Sequence, residues 1–229
     1  MKDFWEKQSS KKLSFIHSIS NLSYDEDFSK DKSEKEQKEI LNLLNNFNKT
    51  FNSSLEIGAG TCQWTNLLCA KSKKVLVTDI SKGMLNLGIK YMKKNFPNYK
   101  VDYFFGDIIQ DKKPINSPFD LIFISGILLY QNNKQFLKLL EFIKQNSEIN
   151  ALLILREPVG VYKEYVIKNK YSQELKTNYS ALYRTEKDII KNICKNSFSL
   201  LNSKWFHPDG SKFNKWKETK LKLMTFRRK

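Results

Sequence analysis

The sequence predicts an α/β chain: an open, doubly wound sheet of five parallel strands, closed by an antiparallel pair and entered through a helical N-terminal cap. Three observations point there. From residue 53 onward, short apolar runs alternate with helical patterns, the arrangement expected of parallel strands joined by crossover helices. The run Phe119-Asp120-Leu121-Ile122-Phe123-Ile124 is nearly continuous in apolar residues, as a strand buried on both faces must be. The last third holds two strand-like runs, Phe198–Phe206 and Lys220–Phe226, separated by the turn residues His207-Pro208-Asp209-Gly210; they read as an antiparallel pair.

Residues 1–50 are read as the cap. A charge-mixed stretch from Asp25 to Lys38 leads into Ile40, Leu41, Leu43, Leu44 and Phe47, an apolar helical face. The domain proper is expected over 51–229. Its first strand is placed at 53–57 with a helix at 62–71, and its second at 74–78. The next helix runs from Ser81, its N-cap, to Asn95. A third strand at 100–105 ends at Gly106-Asp107, and the fourth follows Pro118. A helix at 133–146 buries Phe136, Leu137, Leu139, Leu140 and Ile143, and the fifth strand is Ala151–Leu155. An insertion is expected at about 158–183, with Val161–Lys176 as a helix or loop. Thr185-Glu186-Lys187-Asp188 then caps a helix that runs to about Asn196.

The 229 residues allow one domain with a substantial core, and 40% hydrophobic content excludes a disordered chain. No apolar run reaches membrane-spanning length and the N-terminal residues carry no signal-peptide pattern, so a cytoplasmic protein with no membrane partner is expected. Cys62, Cys69 and Cys194 are odd in number and lack metal-ligand spacing, which reads as reduced thiols and no metal site. The net charge of +16 invites a nucleic-acid reading. Yet only Arg156, Arg184, Arg227 and Arg228 among the 40 basic residues are arginine, the type suited to bidentate phosphate and base contacts. The charge is therefore read first as a solvated lysine surface.

The chemistry is carried by the segment Ser53-Ser54-Leu55-Glu56-Ile57-Gly58-Ala59-Gly60-Thr61: a strand, a glycine turn and the start of a helix. Asp79 stands about 20 residues on, at the end of the second strand. Glycine lets a backbone approach a ligand closely, and a carboxylate at that distance accepts from ribose hydroxyls. The same logic serves a nicotinamide-binding dehydrogenase, so these residues alone leave the cofactor open.

Over roughly residues 40–229 the chain resembles the class I S-adenosylmethionine-dependent methyltransferases, a Rossmann-like family. Their first motif matches Glu56-Ile57-Gly58-Ala59-Gly60-Thr61-Cys62, with Cys62 in place of the third glycine. Their second-strand acid matches Asp79, their adenine-side acid matches Asp107 in Gly106-Asp107-Ile108, and the fourth-strand motif runs from Phe119 through Ser125-Gly126 to Leu128. The resemblance implies S-adenosyl-L-methionine as cofactor. Glu56, Gly58, Ala59, Gly60 and Thr61 would lie at its methionine part, Asp79 at the ribose, and Ile80 with Met84 beside the adenine. Gly106, Asp107 and Ile108 would meet the adenine, while Ser125 and Gly126 would offer backbone to the ammonium group.

The family's nucleic-acid base modifiers carry Asn/Asp-Pro-Pro-aromatic after the fourth strand; Ser125-Gly126-Ile127-Leu128-Leu129-Tyr130 lacks it. A small polar acceptor, methylated on oxygen or nitrogen, is therefore expected. A sugar or phosphate-bearing precursor of a surface glycan is one concrete case. A nucleic-acid methyltransferase and a non-catalytic cofactor-binding protein are the alternatives. Arg156 and Glu157 after the fifth strand, with Tyr130 and His207, are the catalytic candidates. Tyr24, His17, Tyr183 and Arg184 are the substrate-binding ones. Arg156 and Arg184, arginines in a lysine-dominated chain, suggest a phosphate or carboxylate on the acceptor.

Overall fold

A computed structural model describes residues 2–10, 26–111, 115, 117–172, 175 and 177–229. The chain divides into two compact units, one of residues 1–113 with 172–177, the other of 114–171 with 178–229.

The first unit opens with α1 (Lys2–Ser9) and α2 (Glu26–Asn45), followed by β1 (Phe51–Ile57), α3 (Thr65–Cys69), β2 (Ser72–Asp79), α4 (Lys82–Asn95) and β3 (Val101–Phe105). Its strands lie in the order β3-β2-β1, all parallel. The register sets Glu56 beside Val77 and Ile57 beside Thr78, so the carboxyl ends of β1 and β2 finish level. Leu55, Ile57, Val75 and Val77 are buried with Leu68 of α3, Leu85 and Met92 of α4, and Ile40 and Leu44 of α2. Each such side chain contributes about 1.5–3 kcal/mol when fully buried. Helix α4 starts where expected because Ser81 Oγ accepts from Met84 N–H at 3.1 Å.

The second unit contains β4 (Phe119–Ser125), a 3-10 turn (Leu128–Tyr130), α5 (Asn133–Gln145), β5 (Ser147–Gly160), β6 (Tyr165–Ser172), β7 (Thr177–Tyr183), α6 (Glu186–Lys195), β8 (Phe198–Trp205) and β9 (Thr219–Arg228). Strand order is β4-β5-β9-β8; β4 and β5 are parallel, and β9 runs antiparallel to both β5 and β8. Parallel strands with crossover helices, closed by an antiparallel pair, are the Rossmann-like α/β class that the sequence predicts.

Five expectations change. Leu137, expected to face inward, is 49% exposed on α5, off the buried face formed by Phe136, Leu139, Leu140 and Ile143. The helix expected at 62–71 is only α3, because Cys62 sits at φ 63°, outside helical space. Strand β5 does not stop at Leu155: β9 pairs with it from Leu152↔Arg227 to Gly160↔Thr219, which places Arg156 and Glu157 inside a strand. The stretch 161–176 expected as a helix or loop holds β6 instead, which pairs with β7 of the same insertion in a separate two-stranded sheet. The connection between β8 and β9 is longer than His207–Gly210, since β9 begins only at Thr219.

Candidate functional site

The turn after β1 is built on three residues at positive φ: Gly58 (74°), Gly60 (55°) and Cys62 (63°). Glycine takes this conformation without strain and Cys62 takes it at a cost of about 1 kcal/mol. Gly58 and Ala59 both donate their N–H to Thr78 O, at 2.9 and 3.0 Å. Asp79 completes the loop: Oδ2 accepts from Gly60 N–H at 2.7 Å and Oδ1 from Ser81 N–H at 2.7 Å. Its carboxylate therefore ties the glycine turn to the start of α4. Burial pushes the Asp79 carboxyl up to about 6, the two backbone donors pull it down, and the Glu6 charge adds to the rise.

Glu56, 1% exposed, points off β1 beneath this turn, and its Oε2 accepts from Thr65 Oγ1 at 2.6 Å. Its Oε1 is buried with no hydrogen-bond partner among the described residues. Burial drives its carboxyl up to about 8, against the Thr65 hydrogen bond and with a smaller contribution from Asp79. Ala59, Thr61 and Met84 are buried and Ile80 is half-buried. The Cys62 and Cys69 thiols are both raised by burial, which makes them inert packing groups rather than nucleophiles.

Three contributors are absent from the sequence reading. A Cβ on Gly88 of α4 would come within 2.4 Å of Cys62 Sγ and 2.8 Å of the Thr61 carbonyl carbon, so a glycine there lets α4 lie directly on the turn. Thr65 supplies the hydroxyl that holds Glu56. Glu6 of α1 accepts from Lys82 N–H at 2.6 Å and Gly83 N–H at 3.0 Å, satisfying two of the orphan donors at the N-terminus of α4. A glycine inside a helix and a glutamate in a distant helix give no local signal that they belong to this turn.

At the end of β3, Gly106 N–H donates to Asp79 O at 2.9 Å. The Asp107 side chain serves its own turn: Oδ1 accepts from Ile109 and Gln110 N–H at 3.0 and 3.2 Å, and Oδ2 from Gln110 Nε2 at 2.6 Å. Ile108 is buried beside it.

The second unit gathers another group. Ser125 ends β4 and receives Arg156 Nη1 at 3.1 Å. Gly126 follows at φ 67° with open space where a Cβ would stand. Glu157, fully buried, accepts from Ile127 N–H at 2.9 Å and Leu128 N–H at 3.3 Å; burial raises its carboxyl to about 7 despite these donors and Arg156. Arg184 donates to Leu128 O, Gln131 O and Asn133 Oδ1 at 2.9, 2.7 and 2.9 Å and lies over the Phe136 ring at 4.6 Å. Tyr130 has its hydroxyl raised by burial, next to Tyr179 and Glu157. Tyr183 packs near Tyr165. His207 is buried against Phe206 and Phe213, ring centroids 5.3 and 5.0 Å away. His17 and Tyr24 lie outside the described residues.

Residues 55–146 match the family described as "Methyltransferase domain". The chain is 32% identical over 146 residues to ribosomal RNA small subunit methyltransferase A of Mycoplasma mobile, a match covering 62% of this chain and 57% of that relative's length. Among solved structures, the N-methyltransferase NodS from Bradyrhizobium japonicum WM9 in complex with S-adenosyl-L-homocysteine superposes with TM-score 0.66 at 14% identity, over 99% of this chain and 97% of that one. The 1,6-didemethyltoxoflavin-N1-methyltransferase from Burkholderia thailandensis does so with TM-score 0.65 at 13% identity, over 84% and 78%. At such identities these two show a common fold.

Proposed function

We propose that this chain is an S-adenosylmethionine-dependent methyltransferase acting on a small polar acceptor. The observation that carries the reading is the glycine turn with its two carboxylates. Gly60 at positive φ keeps the turn free of a Cβ, Asp79 fixes the turn's edge, and Glu56 holds a buried oxygen with no hydrogen-bond partner among the described residues. A buried acceptor left unsatisfied is costly. A ligand ammonium group offsets this cost once the Glu56 carboxyl, raised to about 8 in the free protein, gives up its proton to accept from it, and the amino-acid portion of the cofactor carries such a group. The residues present thus fit the cofactor: Glu56 and the Gly58–Thr61 backbone for its amino-acid end, Asp79 for the ribose, Ile80, Met84, Asp107 and Ile108 for the adenine.

When bound, S-adenosylmethionine supplies an electrophilic methyl on a sulfonium. The protein's task is then alignment, because in-line displacement needs donor and acceptor held at close range. On the acceptor side we assign the turn after β4, together with Tyr130, Arg156, Glu157, Tyr183, Arg184 and His207. Several relatives of this fold carry names of small-molecule methyltransferases, which supports the choice of acceptor. Isothermal titration with S-adenosylhomocysteine is the test. Micromolar binding supports the reading; a folded sample with affinity weaker than ~1 mM, about 4 kcal/mol, removes it.

A second reading, an RNA acceptor, is favoured by the similarity to the ribosomal RNA small subunit methyltransferase A of Mycoplasma mobile and by the charge of +16. Tight RNA binding that weakens steeply with salt would promote it.

A further inference from the structure

The turn from Gly126 to Asn133 is gripped from opposite sides of its backbone. Glu157 takes the N–H groups of Ile127 and Leu128, while Arg184 takes the carbonyls of Leu128 and Gln131. Leu128 is thus held through both its donor and its acceptor. The clamp is itself anchored: Gly160 N–H donates to Arg184 O at 3.0 Å, and Gly160 bridges to Thr185. So much buried charge spent on one short turn fixes its shape closely. Within the turn lies Gln131, whose side-chain Oε1 is buried and has no hydrogen-bond partner among the described residues. A buried amide oxygen without a donor lowers stability in the protein as it stands. It sits beyond the carboxyl end of β4, the end at which open α/β sheets bind their ligands.

We propose that Gln131 binds the methyl acceptor, its Oε1 accepting a hydrogen bond from an N–H or O–H of that molecule, with Glu157 and Arg184 as positioning residues that hold Gln131 in place. The acceptor class follows: an amine, amide or alcohol that still carries a hydrogen-bond donor in the bound state. This inference rests on the methyltransferase reading above and extends it to a specific contact.

The test compares wild type with Gln131→Leu, close in size but lacking the amide. Methyl-labelled S-adenosylmethionine and a polar cell extract, separated into amine and alcohol fractions, measure transfer; calorimetry with S-adenosylhomocysteine measures donor binding; thermal unfolding measures stability. The expected pattern is transfer reduced at least ~10-fold and S-adenosylhomocysteine affinity within about twofold, with Tm raised by about 2–4 °C as the unpaired amide is removed. Arg184→Lys, which cannot span the same carbonyls, is expected to lower transfer with donor affinity retained. Unchanged transfer by Gln131→Leu overturns the proposal. So does a fall in Tm accompanied by loss of S-adenosylhomocysteine binding, the mark of a structural glutamine. A wild-type protein that binds S-adenosylhomocysteine yet labels neither fraction also overturns it. A wild-type protein that binds no S-adenosylhomocysteine fails the earlier reading instead, and takes this one with it.

Discussion

Half-buried Asp79 and buried Glu56 are both carboxyls of the glycine turn, yet they serve it differently. Asp79 accepts two backbone N–H groups, so Asp79→Ala leaves two donors without their partner. We expect a loss of about 1–3 kcal/mol in stability, measured by urea unfolding, together with loss of S-adenosylhomocysteine binding by calorimetry. Among the described residues, Glu56 accepts only from the Thr65 hydroxyl. Folding raises its carboxyl from 4.5 to about 8, so the folded chain keeps a proton that the unfolded chain has lost. The stability from this group is full below about 4.5 and declines as pH rises to about 8. Glu56→Gln keeps the shape and cannot titrate. Unfolding free energies measured between pH 5 and pH 8.5 are expected to fall less steeply in this variant, by up to a few kcal/mol across the window. An equally steep fall in both proteins removes Glu56 as the source.

At the scale of elements, α4 is the part that the glycine turn leans on. Propensity alone says that Gly88→Ala in a helix interior stabilises by about 1 kcal/mol. Packing says the reverse, because the added Cβ would stand 2.8 Å from the Thr61 carbonyl carbon, a backbone atom that cannot swing aside. We expect packing to win, with a loss of about 1–3 kcal/mol and weaker cofactor binding; a stabilised Gly88→Ala protein contradicts this. Helix α1 meets α4 through Glu6, which caps Lys82 and Gly83. Glu6→Ala is expected to cost about 1 kcal/mol in urea unfolding, whereas Glu6→Gln, still an acceptor, should sit closer to wild type.

For the whole molecule the governing quantity is the charge of +16. Such an excess repels itself in the compact state, and salt screens it over about 10 Å at 0.1 M. Thermal unfolding followed from ~20 to ~200 mM sodium chloride should show Tm rising with salt; a flat or falling profile means that local ion pairs, such as Lys222–Glu186 at 2.8 Å, outweigh the net repulsion. Among the described residues no helix is long and apolar enough to cross a membrane.

The alternation of apolar runs fixed the order of strands and helices from β1 to β5, because crossover helices and buried parallel strands impose patterns that are local in sequence. The Gly58, Gly60 and Asp79 spacing was legible for the same reason: a turn and the acid across from it lie within one strand-helix-strand repeat. Tertiary structure alone decided what depends on distant partners. It extended β5 through Arg156 and Glu157 by pairing it with β9, and it folded the basic, tyrosine-rich insertion into β6 and β7. It also turned Glu157 and Arg184 onto the backbone of one turn, left Gln131 Oε1 without a donor among the described residues, and set Gly88 against Cys62. Sequence periodicity records which face of an element is buried; it does not record which group from far along the chain will meet it there.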